Sequence, residues 1–215
     1  MNELEEILRF YQELGAGFLE YQPEPKQQIL YEISREILNC QKCPLHQMKK
    51  NYVPGEGAIE PDVMFIGEGP GETEDQFGRP FVGKAGQLLD KIIEKMGYSR
   101  EQVFIGNIVK CRPPANRDPQ KNEVEACLPY LIRQIEVIKP RIIVCLGRVA
   151  LMHLLGQTSS ISSERGKLFY FKGIPVIPTY HPAYILRQNT QESIAKAKWE
   201  TWRDMEKVLE LLGKT

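Results

Sequence analysis

No stretch of the sequence approaches about 20 consecutive apolar residues, and the N-terminus has no basic segment leading into an apolar one. Membrane insertion and secretion are therefore not expected, and the chain is predicted to be cytoplasmic. Neither sign of charge is in excess: Lys plus Arg and Asp plus Glu both number 28. Net charge thus gives no sign of a nucleic-acid partner, and any DNA-binding face must be local. The glycine-rich loop Gly67-Glu68-Gly69-Pro70-Gly71-Glu72 lacks the G-K-[ST] of a phosphate loop and the spacing of a G-x-G-x-x-G fingerprint, which argues against a nucleotide cofactor. What the chain does have is apolar content: 42% of 215 residues can bury a large core and leave little room for disorder. The expected organisation is a helical extension and linker over 1–25, followed by one domain over 26–215.

Cysteine is sparse but patterned. Cys40 and Cys43 form a C-x2-C pair followed by Pro44, while Cys111 and Cys127 stand far downstream with 15 residues between them. A C-x2-C turn aims two thiolates at one centre, and two distant cysteines can complete a sulfur set. Four-cysteine zinc sites usually repeat the tight pair, so this spacing fits an iron–sulfur cluster better, with zinc, redox disulfides and unrelated buried thiols as the alternatives. Cys145 lies in the apolar run Arg141 to Leu146 and reads as a core strand residue.

Periodicity alternates between strand and helix. Helical stripes are expected over 2–15, around Ile29, Ile33 and Ile37, over 84–97 stopped by Gly97, over 120–138, over 148–155 and over about 191–212. Buried strands are expected at 62–67, 103–109 and 141–146, and a hairpin at 168–171 and 175–178. Tyr21 to Pro25 reads as a linker, and 156–166 as a polar loop. Such alternation implies an α/β fold with a mostly parallel sheet, whose functional loops follow the carboxyl ends of the strands.

Three of those loops are unusual. Gly67 to Glu72 can turn sharply and bring a ligand close to backbone amides. Asn107 to Pro114 places an amide side chain four residues before Cys111, and Thr179 to Arg187 carries His181 held by Pro182. Singly, an Asn at a strand end is more often a turn former, and an isolated His is often unremarkable. Together with Gly78 to Gly86 and the four cysteines, however, these motifs resemble the family 4 uracil-DNA glycosylases, the iron–sulfur type. The resemblance covers roughly residues 33–212.

The resemblance implies a three-layer sandwich with a central four-stranded, mostly parallel sheet flanked by helices, and a 4Fe-4S cluster held by Cys40, Cys43, Cys111 and Cys127. It implies a monomeric repair enzyme that removes uracil from single- or double-stranded DNA and leaves an abasic site. Glu68 and Gly69 would line the catalytic loop, Phe81 would stack on the flipped base, and Asn107 would read its edge. His181 would donate to uracil O2, and Glu74 would exclude the C5 methyl of thymine. The best-known uracil glycosylases have an Asp where this chain has Gly69, which leaves Glu68 as the only acid inside the turn. Lys84, Lys110, Arg112 and Arg187 are expected on DNA, with Ile185 and Leu186 as a wedge in the base stack. Two rival readings are a zinc-stabilised DNA-binding module and a superfamily relative that acts on other deaminated bases or binds uracil-DNA covalently. The covalent type is expected to carry a His-bearing insertion after the Asn motif, and Pro113 to Pro119 contains no His.

Overall fold

A computed structural model describes residues 25–214. The helix expected over 2–15 and nearly all of the linker before residue 26 lie outside the described residues. The elements are α1 (Lys26–Leu38), β1 (Glu56–Gly57), β2 (Val63–Gly67), α2 (Glu72–Phe77), α3 (Lys84–Lys95), β3 (Phe104–Asn107), α4 (Lys121–Ile138) and β4 (Ile142–Leu146). There follow α5 (Arg148–Leu155), α6 (Ile161–Glu164), β5 (Phe169–Phe171), β6 (Ile174–Thr179), α7 (Pro182–Leu186) and α8 (Gln191–Leu211).

The six strands form one sheet in the order β1-β3-β2-β4-β6-β5. Its centre is the expected set of four parallel strands, β3-β2-β4-β6. Short antiparallel strands at either edge, β1 and β5, extend it to six. β5 is the first arm of the expected hairpin, whereas the two residues of β1 are too few to leave a pattern in the sequence. Strands β2 and β4 are buried at every position, as parallel strands covered on both faces must be, so their sequences are continuous apolar runs.

Alternate side chains of those strands feed two cores. Met64, Ile66, Ile143 and Cys145 pack with Ile33 and Ile37 of α1, Leu131 and Ile135 of α4, and Leu151 of α5. Val63, Phe65, Ile142 and Val144 pack with Leu89 and Ile93 of α3 and Met205 and Val208 of α8. The result is three layers. Three helices were not anticipated: α2 in the acidic stretch after the glycine turn, ended by Gly78 at φ +68°, α6 inside the loop 156–166, capped by the Ser160 side chain, and α7 in the loop that carries His181. Because the four central strands run in parallel, Glu68, Asn107, Gly147 and His181 leave their carboxyl ends on one side of the sheet.

Candidate active site

That side of the sheet carries a cleft of about 410 Å³. Glu68, Gly69, Glu74, Phe81, Asn107 and His181 line it together, so every residue expected at the base from three separate loops converges. Two glycines make the convergence possible. A Cβ on Gly67 would stand 2.5 Å from Asn107 Oδ1 and 2.6 Å from the Phe81 ring, and one on Gly147, at φ +91°, would stand 3.0 Å from the His181 Cβ.

Asn107 is 1% exposed, and its Oδ1 has no hydrogen-bond partner among the described residues. An orphaned buried acceptor of this kind costs about 1–3 kcal/mol, which a ligand N–H would recover. Phe81 adopts φ +49°, a left-handed conformation that costs a non-glycine residue about 1–3 kcal/mol. Arg100 holds it there by donating to the Pro80 and Phe81 carbonyls while paired with Glu56 and Asp90. From the other side, Glu74 Oε1 accepts from the Val82 and Gly83 amides at 2.9 and 2.8 Å. The Phe81 and His181 rings face one another with centroids 5.5 Å apart.

His181 caps α7: its Nδ1 accepts the Ala183 amide at 3.1 Å. The ring proton is therefore on Nε2. Burial, reinforced by the Arg187 charge against a smaller opposing effect of Glu74, lowers its pKa to about 4. A neutral imidazole with a fixed Nε2–H is a hydrogen-bond donor throughout the neutral range.

Glu68 behaves in the opposite sense. Burial, helped by the Asp118 carboxylate and opposed by Arg148 and Arg187, raises its pKa to about 7. A raised carboxyl is protonated below that value and becomes a base above it. If Glu68 acts as the base, turnover should climb as pH rises through about 7 and level off above. Glu68→Gln should abolish that limb, and a limb unchanged in the variant would remove Glu68 from the role.

A second pocket, behind the Asn107 strand, is lined by Cys40, Cys43, Cys111 and Cys127 together with Lys110, Tyr52 and Tyr130. None of the four is in a disulfide. Burial pushes the Cys111 thiol up to about 12 and the Cys127 thiol up to about 11; neighbouring thiols add to both, while Lys110 opposes the rise at Cys127. Thiolates in such a place need a positive partner. Among the described residues no three His, Cys, Asp or Glu side chains close on a single metal ion. Four cysteines around one pocket are compatible with an iron–sulfur cluster. Cys145 is fully buried in β4, away from this set, as expected.

The uracil DNA glycosylase superfamily model matches residues 54–206 of this chain. A type-4 uracil-DNA glycosylase of Sulfurisphaera tokodaii is 47% identical over 185 residues, which is 82% of this chain and 84% of the relative. The chain belongs to the type-4 uracil-DNA glycosylase family. The family's representative in Pyrobaculum aerophilum is 50% identical over 167 residues, 74% of this chain and 85% of its own length. That of Thermotoga maritima is 45% identical over 169 residues, 78% and 88%.

Within this glycosylase fold the expected DNA contacts divide. Lys84 and Arg187 are exposed, and Arg187 lines the cleft. Arg112 is partly exposed, donating to Asn116 Oδ1 at 2.8 Å. Lys110 is not a DNA contact: it is 1% exposed and its ammonium is engaged inside the protein. Ile185 is not a wedge either. At 1% exposure it packs with Tyr180 and Ala197 beneath the loop, because the single turn of α7 points it inward and leaves Leu186 outward at 48% exposure.

Sequence reasoning missed Asp118 and Arg148, which line the cleft as an ion pair at 2.7 Å, and Tyr184, stacked on Tyr180 at 4.5 Å. Asp118 and Arg148 are 30 positions apart, and only the meeting of two loops pairs them. Tyr184 was visible in the motif with His181 but had no signal distinguishing it from a packing residue.

Proposed function

We propose that this protein removes uracil from DNA by hydrolysing the N-glycosidic bond, leaving an abasic site for base excision repair. The observation that carries the reading is the orphaned Asn107 Oδ1 facing a cleft that also holds a neutral His181 and a strained Phe81. The target nucleotide leaves the stack at a cost of a few kcal/mol. Phe81 offsets part of that cost by stacking, a contact worth about 1–3 kcal/mol per base. Asn107 Oδ1 accepts uracil N3–H and its amide donates to O4. Cytosine presents the reverse pattern and would leave buried groups unpaired, which supports discrimination on the order of 10⁴-fold. Glu74 forms the wall against the C5 methyl of thymine, a role supported by its place in the cleft and by the bonds that fix its carboxylate.

Bond breaking sends the C1′–N1 electron pair to uracil and leaves an oxocarbenium-like sugar. His181 Nε2–H, donating to O2, stabilises the developing anion. A water oxygen bonds C1′, and its proton passes to the Glu68 carboxylate, whose negative charge also faces the cationic sugar. Gly69 keeps the turn open to the sugar. Cys40, Cys43, Cys111 and Cys127 would hold a 4Fe-4S cluster, which would cross-link the loops structurally rather than supply any electron for the reaction. Lys84, Arg112 and Arg187 contact phosphates, and Leu186 enters the stack where the base departs. The protein acts as a monomer in the cytoplasm; among the described residues no helix is long and apolar enough to cross a membrane.

The test is an oligonucleotide with one uracil, scored for abasic product beside matched strands carrying thymine, hypoxanthine or xanthine. Product is expected from uracil alone. Equal or faster release of hypoxanthine or xanthine would favour the rival relative, and no product from any strand would reject catalysis.

A further inference from the structure

Lys110 is the largest charged side chain completely withdrawn from solvent. Its Nζ donates to the Asn107 main-chain carbonyl at 3.0 Å and to Gln134 Oε1 at 2.8 Å, and Gln134 in turn donates to the Pro54 carbonyl at 3.0 Å. No carboxylate pairs with it among the described residues, and its backbone amide donates to Cys127 Sγ at 3.2 Å. An ammonium buried without a counter-charge is costly, and breaking such an arrangement by removing one partner is strongly destabilising.

We propose that Lys110 is a positioning residue that links the cysteine pocket to base recognition: its backbone amide is tied to Cys127 Sγ, and its Nζ fixes the Asn107 carbonyl and hence the side chain that reads uracil. This rests on the function and cluster proposed above. Asn107 closes β3, and immediately after it the chain must turn toward Cys111, so its carbonyl lacks a strand partner beyond the sheet end. Lys110 supplies that partner from three residues away. The glycosylase thus gains a rigid support for a side chain whose own oxygen must remain unpaired until the base arrives.

The experiment compares wild-type holoenzyme with Lys110→Met, measuring kcat and KM for uracil excision, affinity for abasic-product DNA against salt, and the reduction potential of the cluster. The inference expects kcat to fall at least about 10-fold with product affinity and salt slope unchanged, and the potential to move negative because a neighbouring positive charge has gone. Unchanged kcat overturns it. So does a loss confined to DNA affinity with the salt slope reduced by about one, the behaviour of a phosphate contact. Should Lys110→Met fail to fold or to keep its cluster, Gln134→Ala decides: it keeps the charge but frees the ammonium, so kcat should fall several-fold, and wild-type kcat there overturns the inference. Wild-type protein with no excision would reject the function and this inference together, whereas wild type and Lys110→Met equally active reject the inference alone.

Discussion

Replacing His181 by alanine is expected to lower uracil excision by at least about 10²-fold, the usual cost of deleting one donor to a developing anion. The donor is fixed before substrate arrives, since Nδ1 accepts from Ala183 and leaves the proton on Nε2. The same bond caps α7, so His181→Ala should also lose about 0.5–2 kcal/mol of stability. His181→Asn separates the two effects. Its side-chain oxygen can take the Ala183 amide and restore the cap, but it has no Nε2–H to offer the base. Thermal melting near the wild-type value with excision still depressed about 10²-fold would place the loss in the chemistry; recovery of turnover with stability would reduce His181 to a cap. The lowered pKa, about 4, sets a further condition. A histidine whose pKa is depressed is neutral at every pH above that value, so no limb in the neutral range belongs to His181, and the rise near 7 expected of Glu68 should persist in His181→Asn.

Asn107→Ala should reduce excision by a similar factor, at least about 10²-fold, and the protein should not pay for it in stability. Asn107 Oδ1 has no partner to lose, and its removal relieves part of the roughly 1–3 kcal/mol held in an unpaired buried acceptor. A melting temperature equal to or above wild type, together with collapsed activity, is the pattern of a residue kept for function at the expense of stability. The residual activity should discriminate poorly between uracil and cytosine, because the edge-reading pair is gone. Near-normal turnover, or undiminished rejection of cytosine, would transfer base reading to another group in the cleft.

The two expectations share a physical basis. Both side chains are held so that the polar atom facing the cleft has no competing partner among the described residues, and both depend on neighbours that cannot take a side chain or must accept strain. Gly67 makes room for Asn107 and Phe81, Gly147 for His181, and Phe81 is held in a left-handed backbone by Arg100 and Glu74. Preorganisation here is geometric and electrostatic at once. Water is kept from Asn107, and a buried ammonium stands behind its carbonyl.

By itself the sequence determined the alternation of strand and helix, the parallel centre of the sheet, the four-cysteine set and the loops that carry Glu68, Asn107 and His181. These follow from local rules: continuous apolar runs for strands buried on both faces, amphipathic stripes for helices, and active loops at strand carboxyl ends. Only the tertiary structure decided which charges meet solvent. Lys110 and Arg112 are two positions apart among the same motif residues, yet one is buried against Gln134 and the other reaches the surface beside Asn116. Ile185 and Leu186 are likewise adjacent and point in different directions, because each residue along a helix rotates the side chain by about 100° and the core takes one of them. The Asp118–Arg148 pair and the raised pKa of Glu68 beside it exist only where loops from different strands close on one another. Residue type and spacing carry local geometry, whereas burial, and with it charge, protonation and the direction of each side chain, is set by what the folded chain packs against.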